Sequence, residues 1–121
     1  MKKIVLVDDD PIVVRVYKQK IASGGFDVQT AVDGLEAVRI LGAGQPDLVI
    51  LDVELPDMDG FVVTSQLKAQ PDPSLVVLLS MHNNAQYQKR GRDAGCDAYV
   101  GKESGWVGLL TVLRKIMKDK E

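Results

Sequence analysis

Residues Leu48-Val49-Ile50-Leu51-Asp52, continuing through Val53-Glu54-Leu55-Pro56 to Asp57-Met58-Asp59-Gly60, decide the fold. A strand with one wet face alternates apolar and polar residues, whereas LVIL does not alternate. It therefore reads as a strand covered on both faces, the condition of a parallel sheet between helices. The run ends abruptly on a carboxylate followed by a proline turn, which a purely structural strand end does not require. Outward from it the same kind of run recurs: Val28 to Ala31 and Ile4 to Val7 before it, Leu75 to Leu79 and Ala98 to Val100 after it.

The intervening segments carry helix signals, so the chain reads as five βα units in a doubly wound α/β fold. Asp10-Pro11 has the form of an N-cap and first helical position, and the stripe Val13, Val14, Tyr17, Ile21 then ends at Gly24 and Gly25. Asp33 and Glu36 have capping-box spacing ahead of an apolar stripe Leu35, Val38, Leu41, which Gly42 and Gly44 close. A third helix is expected from about Asp59 to Ala69 and a fourth from Asn84 to Ala94 with Gly95 as its stop. The fourth is polar and contains Gly91, which predicts a mobile or little-buried element. The last carries Leu109, Leu110, Val112, Leu113, Ile116 and Met117, with Arg114, Lys115 and Lys118 near its negative dipole end.

With 121 residues the chain accommodates one core, and a single domain over 1–121 is expected. Fifteen basic against seventeen acidic side chains, a net −2, provide no broad basic surface, which argues against direct nucleic-acid binding. No run approaches the roughly 18 apolar residues of a membrane span. The opening MKKIVLVDDD meets acids too early for a signal peptide, so a cytoplasmic protein without membrane association is expected. Cys96 stands alone, reads as an inert small hydrophobe at the start of the last strand, and has no partner for an internal disulfide.

In open parallel sheets ligands bind beyond the carboxyl ends of the strands. Asp8, Asp9 and Asp10 follow the first run, Asp52 ends the third, Ser80 ends the fourth, and Lys102 follows the fifth. Carboxylates brought together repel, and one pKa rises unless a cation intervenes. Magnesium, which takes one or two carboxylates, waters and a phosphate oxygen, resolves this. Lys102 can pair with Asp52 or a phosphate oxygen, and Ser80 can donate to another, so the rim suits phosphoryl transfer to a carboxylate. No glycine-rich phosphate loop is present; Gly34 and Gly60 read as turn or helix-entry positions.

Four motifs in order, VDDD at Val7 to Asp10, DVELPDMDG at Asp52 to Gly60, LLSM around Ser80 and YVGK at Tyr99 to Lys102, make the whole chain resemble the receiver domain of two-component response regulators. The resemblance implies a flavodoxin-like sheet of order 2-1-3-4-5. It implies that Asp52 accepts a phosphoryl group from a phosphohistidine on a sensor histidine kinase or histidine phosphotransfer protein. Asp9 and Asp8 match the acidic pair holding Mg2+ with Asp52, and the backbone carbonyl of Glu54 matches the remaining protein ligand. Lys102 matches the lysine that pairs with the phosphoryl group, Ser80 the switch hydroxyl, and Tyr99 the aromatic that follows it. The face of helix four, strand five and helix five would then be read by an effector protein or a second receiver copy. Such a domain is a signalling switch that catalyses only its own phosphorylation and dephosphorylation.

The chain departs from the family at three places. Glu103 follows Lys102 where receivers usually carry a proline after a cis bond, which predicts a trans bond and puts the reach of Lys102 in question. Met81 replaces a small residue beside Ser80, and Glu54 and His82 occupy positions that in the family influence acyl-phosphate hydrolysis. These departures keep open an alternative, a receiver-like interaction module that no longer uses phosphate. Trp106 reads equally as core or as part of an exposed patch. An aspartyl-phosphate hydrolase and a flavin carrier fit less well, the first for want of cap segments and the second because VDDDP repels a flavin phosphate.

Overall fold

The apolar runs become strands β1 (Lys3–Val7), β2 (Asp27–Ala31), β3 (Leu48–Asp52), β4 (Leu75–Ser80) and β5 (Ala98–Gly101). Helices α1 (Pro11–Ser23), α2 (Gly34–Gly42), α3 (Gly60–Lys68), α4 (Ala85–Ala94) and α5 (Gly105–Lys120) alternate with them. The computed structural model describes residues 2–120, with side chains through Lys118; the two terminal positions of the expected domain lie outside the described residues. All strand pairs are parallel, in the order β2-β1-β3-β4-β5.

Alternation along strands buried on both faces divides the core in two. Val5, Val7, Val49, Leu51, Val76 and Leu78 face one side, where Ala37, Phe61 and Val63 of α2 and α3 pack on them. Ile4, Leu6, Leu48, Ile50, Val77 and Leu79 face the other, against Ile21 of α1 and Leu109, Leu113 and Met117 of α5. Each such Val, Leu or Ile withdrawn from water contributes about 1.5–3 kcal/mol before chain entropy is charged against it.

The caps follow the sequence signals. Asp10, Asp33, Asp59 and Asn84 each accept a backbone N–H in the first turn of their helix. Gly95 takes φ +96° after α4, the left-handed stop that glycine accepts without strain. In α4 only Gly91 is fully buried, in keeping with the expected little-buried helix.

The expected apolar face of α2 is corrected. Leu35 and Val38 are 69% and 46% exposed, while Gly34 and Ala37 are buried and Ile40 and Leu41 half-buried. The helix packs on its small residues: Ala37 joins the core against the sheet, and a Cβ on Gly34 would strike Met58 of the loop after β3. Close approach there rotates the bulkier Leu35 and Val38 outward. Two smaller adjustments also emerge. Cys96 lies two residues before β5 begins, and a 3-10 turn, η1 (Lys102–Ser104), intervenes ahead of α5. Trp106 is half-buried at the edge of the core, its ring 5.5 Å from that of Tyr17.

Candidate functional site

The carboxyl ends of β1 and β3 are neighbours in the sheet, so Asp8 and Asp52 meet although 44 positions separate them in the chain. Both are buried, at 0% and 2% exposure, whereas Asp9 is exposed. One carboxylate oxygen from each of the three lies within 4.8 Å of the others. Asp10 stands apart as the α1 cap, its Oδ1 accepting from Ile12 N at 2.9 Å.

Lys102 reaches both buried acids, with Nζ 3.0 Å from Asp8 Oδ2 and 3.1 Å from Asp52 Oδ2. The described chain contains no cis peptide bond, so the Lys102-Glu103 bond is trans and the reach is intact. That removes the main sequence argument for a module indifferent to phosphate.

Asp52 is held on both oxygens: Oδ1 accepts from Glu54 N at 3.0 Å and Oδ2 from Lys102. Burial pushes its pKa up, the charge of Asp8 adds to this, and Lys102 with the Glu54 amide only partly offsets them, leaving it at about 7. Burial by itself disfavours the Lys102 ammonium, yet contact with Asp8 and Asp52 outweighs it and raises that pKa. Two buried carboxylates against one ammonium leave a deficit of positive charge.

Among the described residues, Asp8 Oδ2 is the buried side-chain oxygen without a well-directed hydrogen bond. It has the ion pair with Lys102 but keeps a free lone pair, while Asp8 Oδ1 is committed to Asp10 N at 2.9 Å. An orphaned buried carboxylate oxygen beside an exposed Asp9 and the buried Asp52 carboxylate is the donor set of a hard, hydrated divalent cation. The residues present fit Mg2+.

Ser80, fully buried at the end of β4, donates from Oγ to Glu54 Oε1 at 2.8 Å and accepts from His82 N at 2.9 Å. His82 Nε2 lies 3.9 Å from the same Glu54 oxygen, both side chains being exposed. The Tyr99 hydroxyl donates to the His82 carbonyl, and burial raises its pKa. Ser80, Tyr99 and the loop after β4 thus form one hydrogen-bonded unit. Met81 points away at 72% exposure.

Three contributors escape a sequence reading. Glu54 engages Ser80 through its side chain as well as Asp52 through its amide. Asp57 accepts from Gly34 N at 2.7 Å and Leu35 N at 3.0 Å, and the bond to Gly34 holds its pKa down. The loop after β3 thereby caps α2 from 23 residues away. Gly60 admits no side chain, since a Cβ would lie 2.7 Å from the Asp52 carbonyl oxygen and from Val53 Cα. The acids and the glycine of PDMDG were the available signal, but not what they contact.

Comparison with known proteins shows the family and the fold. A family model described as "Response regulator receiver domain" matches residues 4–114. Response regulator MprA of Mycobacterium sp. (strain KMS) is 32% identical over 116 residues, covering 96% of this chain and 50% of that protein. The chain therefore spans about half the length of the curated relatives it matches. Among solved structures, the Francisella response regulator 1452 receiver domain superposes with TM-score 0.91 at 25% identity, covering 100% of both chains. Response regulator protein TrrA of Thermotoga maritima, in complex with Mg(2+)-BeF, superposes with TM-score 0.83 at 30% identity, covering 95% of this chain and 98% of that one.

Proposed function

This chain belongs to the response regulator receiver domain family, and from that premise we propose that it is a phosphorylatable switch in which Asp52 accepts a phosphoryl group from a phosphohistidine. The observation that carries the proposal is the buried Asp8–Asp52 pair joined by Lys102 Nζ, with Asp9 beside it and Asp8 Oδ2 unsatisfied. A domain of this family is a signalling domain rather than a metabolic enzyme. Residues 1–121 are read as one such domain, and its donor as a sensor histidine kinase or histidine phosphotransfer protein.

In the proposed step an Asp52 carboxylate oxygen attacks phosphorus, an O–P bond forms, and the P–N bond to the donor imidazole breaks. The imidazole nitrogen leaves with the bonding pair and takes up a proton from solvent. Asp52 reacts as the carboxylate, the form that burial and the Asp8 charge disfavour and that a bound cation would favour. Asp8, Asp9, Asp52 and the Glu54 backbone carbonyl are the residues that would hold Mg2+, which when bound supplies positive charge to the phosphoryl oxygens. Lys102, already paired with Asp52 Oδ2, would offer a further positive charge to the phosphoryl group.

Ser80 is the proposed sensor. Its hydroxyl now donates to Glu54 and can donate to a phosphoryl oxygen only by giving up that bond. Its Oγ also holds His82 N, so such a shift pulls the loop whose carbonyl Tyr99 binds. Repacking there alters the surface of α4, β5 and α5, which an effector protein or second receiver copy would read. TrrA provides support, since it was solved with magnesium and a beryllofluoride group.

The direct test is mass spectrometry after incubation with a small-molecule phosphodonor and Mg2+. The parent is expected to gain one phosphoryl group, labile to base and to hydroxylamine as an acyl phosphate is, and Asp52→Asn none. A parent left unmodified by small donors and by kinases alike would contradict the proposal.

A further inference from the structure

Glu103 has no part in the phosphoacceptor rim, yet its carboxylate is tied by a hydrogen bond to the loop after β4. Its side chain folds back over Gly101, where a Cβ would collide with the Glu103 carboxylate. Glycine therefore leaves the space this carboxylate occupies. Gly101 is also the register partner of Ser80 across β4 and β5. Ser104 Oγ ties the turn down by donating to the Gly101 carbonyl at 2.8 Å.

From this seat Glu103 Oε1 accepts from Asn83 Nδ2 at 2.8 Å. Asn83 Oδ1 in turn accepts from Gln88 Nε2 at 2.8 Å. The chain of bonds starts beside Lys102, crosses the loop that carries His82, and ends in α4. We propose that Glu103 is a positioning residue that latches the Lys102 turn to α4, giving a second route from phosphoacceptor to helix alongside Ser80 and Tyr99. The latch rests on the reading of Asp52 as phosphoacceptor.

Adjacency supplies the coupling. A backbone rotation that carries Lys102 Nζ from the two aspartates toward a phosphoryl oxygen turns the neighbouring Glu103 carboxylate with it. The Asn83 bond is charge-assisted, hence short and directional. Glu103 and Asn83 are exposed, so water replaces their bond at small cost and the latch releases rather than locks. Neither the Ser80 hydroxyl nor the Tyr99 ring is needed for this connection, which is what makes it separable.

Backbone amide spectra of the parent, Glu103→Gln and Glu103→Ala, with and without magnesium and beryllofluoride, test the latch. In the parent, amides near Asp52 and along α4 are expected to shift together. In Glu103→Ala the shifts near Asp52 persist while those along α4 fall to about half or less. Glu103→Gln keeps an acceptor oxygen and retains most of the α4 response. Equal α4 responses in parent and Glu103→Ala overturn the latch alone, as does a loss in Glu103→Gln as large as in Glu103→Ala. A parent that responds nowhere overturns the phosphoacceptor reading and the latch with it.

Discussion

Asp52 is a carboxylate whose ionisation is set by residues from three other parts of the chain, and this gives it a measurable signature. Its folded pKa of about 7 stands above the ordinary 3.8. Between these values the folded protein binds more protons than the unfolded chain, so stability falls as pH rises through that window. In metal-free buffer at pH 8, Asp52→Asn is expected to be more stable than the parent by on the order of 1–3 kcal/mol. The gap should shrink toward pH 5, and thermal unfolding in the presence of a chelator measures it. Parallel stability profiles for parent and variant would mean that Asp52 titrates as an ordinary surface acid. Gly60 is as constrained by space as Asp52 is by charge. Its missing side chain faces backbone that cannot step aside, so Gly60→Ala should cost about 1–3 kcal/mol, read by chemical denaturation. It should also disturb the Asp52 amide, because the clash falls on the Asp52 carbonyl.

Among the elements, α2 is where local pattern and tertiary packing part company. Spacing offers two apolar faces, and only the distance of closest approach to the sheet chooses between them. Gly34 and Ala37 let the helix come near, so Leu35 and Val38 remain outside. Leu35→Lys should then change stability by less than about 0.5 kcal/mol, although a sequence pattern makes it a core position. Asp57→Ala should weaken the start of α2 and accelerate amide exchange of Gly34 and Leu35, since it removes the acceptor those two amides share. Unchanged exchange there would mean that Asp33 caps the helix without help. Helix α4 was legible for a different reason. Asn84 and Gly95 are local signals, and a polar sequence with a single buried glycine leaves little for distant packing to override.

For the molecule as a whole, the proposed metal site would link cation binding to folding. The excess negative charge at the rim opposes folding, and a cation that binds only the folded rim opposes unfolding. Magnesium at 100 times its dissociation constant should stabilise the parent by about 2.7 kcal/mol, and Asp9→Asn should lose most of that gain. Because the ion competes with the Asp52 proton, apparent affinity should weaken by up to about tenfold per pH unit below pH 7 and level off above it. Calorimetric or fluorescence titration at several pH values measures both. A pH-independent affinity would place the ion away from Asp52.

Architecture and the identity of the rim residues were written in the sequence. Unbroken runs such as LVIL specify strands buried on both faces, and Asp-Pro, Asn84 and Gly95 specify helix ends by local backbone chemistry. The position of Asp8, Asp9, Asp52, Ser80 and Lys102 after their strands follows, because parallel strands all present their carboxyl ends at one edge. Tertiary structure alone decided which of those groups touch. That Lys102 bridges Asp8 and Asp52, that Ser80 gives its proton to Glu54, that Asp57 caps a helix 23 residues away and that Glu103 reaches Asn83 depend on side chains from distant segments meeting within hydrogen-bond range. Local propensity acts over a few residues, and no spacing rule carries information about partners brought together by the folding of a sheet.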